Sequence, residues 1–282
     1  METLKQLFWS SRPISWINTA YPFGLAYWLA TADTGLTLWI GVLFFLIPYN
    51  LLMYGINDVF DYESDLRNPR KGGIEGALLD PKWHAITIKA AIFSCVPFVA
   101  YLTVVGSSGS TSWLYLTLFM VIAYSAKGLR FKERPFLDSI TSSLHFVGPM
   151  VFGLSLADVN LWQPQILIAM TAFFLWGVAS HAFGAVQDVL ADREGGISSI
   201  ATVIGARATV RVALAAYIIA ALLLLGLSQP YSWAAAAAIP YLIILAPYWN
   251  ITDATCARAN SGWKKFIWLN FIAGAVVTLL VI

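Results

Sequence analysis

The stretch TLWIGVLFFLIPYNLLMYGINDVFDYESD, residues 37–65, decides the architecture. Residues 37–57 are almost wholly apolar and match the ~20 residues that a bilayer-spanning helix needs. The run then turns abruptly acidic. If the helix continues, Asn57, Asp61 and Asp65 fall at i, i+4 and i+8 with Asp58 one step round, so all four share one arc. Carboxylates at that spacing repel one another, and charge at the end of a membrane helix is poorly solvated. A divalent cation removes both objections. Oxygen-only donors suit magnesium, which takes one or two carboxylates and fills its other positions with water and substrate phosphate. Arg67, Arg70 and Lys71 follow before Gly72-Gly73, placing bases for phosphate beside acids for a metal.

The rest of the chain repeats the apolar theme. Of 282 residues, 59% are hydrophobic and 11% charged, with a mean hydropathy of +0.71. A soluble domain carries roughly 25% charged residues, so the composition reads as an integral membrane protein. The net charge of +2 points to no nucleic-acid partner. Cys95 and Cys256 lack metal or disulfide spacing and read as apolar filler. Met1–Pro13 lacks a signal-peptide pattern and reads as a retained interfacial stretch.

Nine spans are expected, near 14–31, 37–57, 84–105, 112–126, 137–156, 163–187, 209–227, 231–249 and 264–282. With that count every Lys and Arg falls at the N-terminus, in a connection after an even-numbered span, or in the first two turns of the span that follows such a connection. The opposite connections, near Asp33, Ser107–Ser110, Asp158–Asn160 and Gln229, carry none. The positive-inside rule then places the N-terminus and the charged connections in the cytoplasm and the C-terminus across the plasma membrane.

A second acidic end closes the sixth span. In HAFGAVQDVLADREGG, residues 181–196, Asp188 and Asp192 stand at i and i+4, with Gly184 and His181 continuing the stripe inward. A span, an Asp-x-x-x-Asp end, basic residues and Gly-Gly thus recur four spans apart, as in a weak internal repeat. Two such ends could hold two or three magnesium ions around one diphosphate. Lys127, Arg130, Lys132 and Arg134 follow the fourth span, where they read either as topogenic charge or as a further cap on phosphate.

At these residues the chain resembles the UbiA-type intramembrane prenyltransferases. Asn57, Asp58, Asp61 and Asp65 match the family's Asn-Asp-x-x-Asp-x-x-x-Asp motif, Asp188 and Asp192 its Asp-x-x-x-Asp motif, and residues 67–73 its basic loop. The family usually follows the second motif with Gly-x-Lys-Ser/Thr. Here Gly196-Ile-Ser198-Ser199 lacks the lysine, and Arg193 is the expected substitute. The resemblance implies an all-α polytopic fold of nine transmembrane helices around a central cavity with a cytoplasmic polar cap. It implies one domain over 1–282, with pseudo-repeated halves near 1–135 and 136–282, and Mg2+ held by the six motif residues.

Within the family, residues 10–24, 56–65, 131–138 and 249–254 resemble bacterial lycopene elongases of fifty-carbon carotenoid synthesis. That likeness implies dimethylallyl diphosphate as donor, lycopene or its monoprenylated product as acceptor, and downstream carotenoid cyclase subunits as partners. Ionisation of the allylic C–O bond would leave a carbocation for attack by the acceptor's double bond, with water excluded in the bilayer. Tyr54 and Tyr124 are candidates to face that cation, and His181 or His145 to take the final proton. Asn18 and Asp138 are candidate cavity residues. The alternatives are an aromatic-acceptor prenyltransferase and, outside the enzymes, a cation transporter.

Overall fold

The computed structural model describes residues 2–66 and 78–282. All regular structure among them is helical: α1 (Glu2–Ser10), α2 (Ile17–Thr31), α3 (Leu36–Phe60), α4 (His84–Val105), α5 (Ser108–Ser125), α6 (Leu137–Leu156), α7 (Pro164–Val186), α8 (Ile200–Leu224), α9 (Tyr231–Tyr248) and α10 (Ala259–Val281). Seven of the described helical runs are long and apolar enough to cross a membrane: those of α3, α4, α6, α7, α8, α9 and α10. The other two expected spans exist as helices of a different kind. Helix α2 has only 15 residues, and α5 has 18 with Ser108, Ser110, Thr111, Ser112, Thr117 and Ser125 among them. Large apolar side chains stand outward along the long helices, with Val104 84% and Leu279 83% exposed. In a chain of this composition an apolar outer surface of that kind suits lipid rather than water.

The chain forms two compact units, residues 1–131 with 145–161 and residues 132–144 with 162–282, so α6 contributes to both. The core of the first is aromatic: Phe23, Phe44, Phe45, Tyr49 and Phe152 are fully buried. Phe45 lies 5.1 Å from both Phe23 and Tyr49, ring to ring. Gly153 permits this density, because a Cβ there would come within 2.9 Å of the Phe23 carbonyl. The second unit packs Phe183, Tyr217, Tyr241 and Leu245 among alanines. Tyr217 stacks on Tyr241 at 5.0 Å, and its hydroxyl meets Ser180 Oγ at 3.0 Å.

Helix α3 is not regular. Pro48 offers no N–H to the ladder, and nearby the Asn50 amide donates to the Phe45 and Leu46 carbonyls at 2.7 and 3.1 Å. Leu51–Gly55 then form a π-helical turn, which re-phases the helix just before Asn57.

Candidate active site

In the first unit the helix breaks at Asp61. Its φ of −99° and ψ of −2° lie in the sparsely populated bridge region, and a short helix, Tyr62–Asp65, follows. The N–H groups of Asp61 and Asp65 still donate four residues back, to Asn57 at 2.9 Å and Asp61 at 2.8 Å. Asp58, Asp61 and Asp65 are 1%, 6% and 6% exposed. Asn57 Nδ2 donates to Ser125 Oγ at 3.0 Å, which leaves its Oδ1 as the acceptor of that amide.

Two arginines meet these carboxylates. Arg12 Nη2 donates to Asp58 Oδ1 at 2.8 Å, with its guanidinium 4.3 Å over the Tyr54 ring. Burial opposes the Arg12 charge, but Asp58, Tyr54 and Asp65 together outweigh it and hold the guanidinium above its ordinary range. Arg130 Nη2 lies 3.7 Å from Asp61 Oδ1, and its Nη1 donates to the Phe60 carbonyl at 3.4 Å. Both arginines have left-handed backbone, φ 49° and 41°, a strain of order 1 kcal/mol each that persists where surroundings over-determine it. In the sequence Arg12 is simply one of the basic residues near the N-terminus, since its partner lies 46 positions away. The Ser11-Arg12-Pro13 run, bending before a span, was the available signal.

The second unit repeats the break. Asp188 has the same φ of −99° and ψ of −2° at the start of the short helix Val189–Glu194, and Asp192 N–H donates to its carbonyl at 2.8 Å. Both carboxylates are only partly buried. Gln187 beside them donates to the Gly184 carbonyl at 2.9 Å and accepts from Asn260 Nδ2 at 2.7 Å.

The remaining expected site residues are placed as follows. Lys127 is exposed, and Asn18 is half-buried. Tyr54 already carries the Arg12 guanidinium on one face. Tyr124 meets the His145 ring edge-on at 5.0 Å, and His145 Nε2 is 3.3 Å from the Met120 carbonyl. His181 Nδ1 pairs with Ser139 Oγ at 3.0 Å. Arg193, the expected substitute for the absent lysine, bonds Asp253 and the Thr202 carbonyl, so reaching a phosphate would cost it those bonds. Asp138 differs from expectation: it is fully buried, and its oxygens accept from the Ser139 and Ile200 N–H groups at 2.7 and 2.8 Å. Arg67, Arg70 and Lys71 lie outside the described residues.

Among the described residues no group of three or more His, Cys, Asp or Glu side chains gathers as a metal site. Magnesium does not require one, since it takes one or two carboxylates together with phosphate and water. Buried oxygen donors beside guanidinium groups fit a cation that arrives with a diphosphate.

This is a multi-pass membrane protein with a two-break acidic apparatus, and residues 19–272 match the UbiA prenyltransferase family. The chain belongs to that family and is a prenyltransferase, which removes the cation-transporter alternative. It is 52% identical over 282 residues, 100% of this chain and 98% of the relative, to a lycopene elongase/hydratase of Corynebacterium glutamicum. It is 55% identical over 280 residues to the C(50) beta-cyclic carotenoids biosynthesis protein LbtBC of a Dietzia species, covering 99% of this chain and 65% of that one. A UbiA homologue from Archaeoglobus fulgidus, solved bound to DMAPP and Mg2+, shares the fold with a TM-score of 0.69 at 18% identity, covering 96% of this chain and 99% of that chain.

Proposed function

We propose that the chain transfers a dimethylallyl group from its diphosphate to the end of lycopene, in a magnesium-dependent step of acyclic fifty-carbon carotenoid synthesis. The observation that carries the donor chemistry is the same Asp-centred helix break at Asp61 and Asp188, each followed one turn on by a second Asp. The relatives' names support the acceptor.

In this reading Asn57, Asp58, Asp61, Asp65, Asp188 and Asp192 hold the metal. Magnesium, when bound, stabilises the diphosphate as a leaving group. Arg130 stands beside Asp61 to neutralise phosphate charge, joined by Lys127 and by Arg67, Arg70 and Lys71. Heterolysis of the allylic C–O bond leaves the electron pair on diphosphate, and the acceptor's terminal double bond supplies the pair for the new C–C bond. The adduct cation then loses a proton, or adds water and passes the water's proton to a base. Diphosphate and His181, held by Ser139, are the candidate bases, and Tyr54 and Tyr124 the candidate aromatic neighbours of the cation.

We further propose nine spans, with α2 and α5 joining the seven longer segments. The absence of Lys and Arg from alternate connections supports this, and puts the N-terminus and both Asp motifs in the cytoplasm and the C-terminus opposite. The chain then acts as one domain of two pseudo-repeated halves, handing its product to cyclase subunits. Incubating membranes that contain the protein with dimethylallyl diphosphate and lycopene, with and without magnesium, tests the proposal. Successive five-carbon products that need magnesium are expected. A chromatogram holding only unchanged lycopene refutes the acceptor assignment.

A further inference from the structure

Helix α8 is broken at Gly205, whose φ of 79° and ψ of 159° are not helical. A regular ladder would join the Ala206 N–H to the Thr202 carbonyl, four residues back. Here both groups take other partners. Asp253 Oδ1 accepts from the Ala206 N–H at 2.7 Å. The Thr202 carbonyl accepts from Arg193 Nε and Nη2 at 3.1 and 2.7 Å. Arg193 Nη1 then donates to Asp253 Oδ2 at 2.7 Å. An ion pair therefore stands in for one missing helix bond. Glycine is needed at the break both for its φ and for room, since a Cβ at 205 would lie 3.3 Å from Asp253 Oδ1.

The bridge is anchored beside the second Asp motif. Arg193 follows Asp192 directly, in a helix of six residues, Val189–Glu194, too short to be stable by itself. Onward the chain is fixed by the Ile197 N–H on the Asp192 carbonyl at 2.8 Å and by Asp138 on the Ile200 N–H. The side chains of Arg193 and Asp253 are 41% and 36% exposed, and a pair so open to solvent adds little to overall stability. Its geometry suits local order better than general strength.

We propose that Arg193 and Asp253 are positioning residues for the second Asp motif. By bridging the break in α8 they hold the short helix that carries Asp192, and through it they set affinity for the magnesium diphosphate. This rests on the functional reading above. It gives the Thr252-Asp253-Ala254 stretch a task and accounts for an arginine where the family's lysine is absent.

The test uses the full-length protein in nanodiscs with Asp253→Asn, which keeps an oxygen for the Ala206 N–H but removes the ion pair, and with Arg193→Lys. Amide hydrogen exchange across residues 189–206, measured without metal or substrate, should be faster in both variants. The KM for dimethylallyl diphosphate and the half-saturating magnesium concentration should rise about tenfold, with kcat within about twofold. Lysine should not rescue, because one ammonium cannot span the Thr202 carbonyl and Asp253 as the guanidinium fork does. Unchanged exchange in the unliganded variants, a fall in kcat at constant KM, or outright unfolding would overturn the proposal. The exchange readout needs no substrate, so it decides the clamp even if the wild type proves not to use dimethylallyl diphosphate.

Discussion

The two helix breaks share a backbone and differ in surroundings. Asp61 and Asp188 have the same φ and ψ, and each is followed at i+4 by an Asp whose N–H returns 2.8 Å to its carbonyl. Around the first, the carboxylates are nearly sealed from solvent and a half-buried Arg12 pairs with Asp58. Around the second, the carboxylates are half-open, and the neighbouring arginine turns to a solvent-exposed partner. What recurs is the device that aims two carboxylates from one helix end. What differs is how each is held. Buried charge must be paired within the protein, whereas half-exposed charge can be left to solvent and its supporting segment pinned from outside.

The largest expected effect falls on what the breaks share. Asp61→Ala and Asp188→Ala should each cut turnover on the order of 10³-fold or more, with membrane insertion intact; retained turnover in either would separate the two sites. Chelation of magnesium should match that loss, and restored metal should reverse it. The next effect falls on what differs. Arg12→Ala removes the guanidinium from a buried Asp58 and should lower unfolding stability by about 3 kcal/mol, read as a clear drop in thermal midpoint. Arg193→Ala, at an exposed pair, should cost less than about 1 kcal/mol by the same measurement. Equal losses would erase the distinction between the sites. The smallest effect is expected from Ser125→Ala, which removes one hydrogen bond from Asn57, about 1 kcal/mol, seen as a several-fold rise in the magnesium needed for half-maximal rate.

Much of this was legible in the sequence because it is local. The apolar runs, the position of each Asp cluster at the end of one, and the i, i+4 spacing all follow from neighbouring residues. A smooth arc through Asn57, Asp58, Asp61 and Asp65 needs a continuous helix, whereas the helix is interrupted at Asp61 and re-phased ahead of Asn57 by the π-turn at Leu51–Gly55. Neither break nor π-turn has a residue signature of its own, since bridge-region backbone admits most side chains. Long-range partners were hidden for another reason. Arg12 finds Asp58 across 46 residues and Arg193 finds Asp253 across 60, and only the fold joins them. Hydropathy likewise gave nine spans by placing charges, while length and polarity leave α2 and α5 short of that standard.

The central proposal is that both breaks serve one magnesium diphosphate. Equilibrium binding of an unreactive dimethylallyl diphosphate analogue to wild type, Asp61→Ala and Asp188→Ala, with and without magnesium, tests it most directly. The account predicts magnesium-dependent binding in the wild type that is lost in both variants. Wild-type affinity in either variant, or tight binding that ignores magnesium, would contradict it.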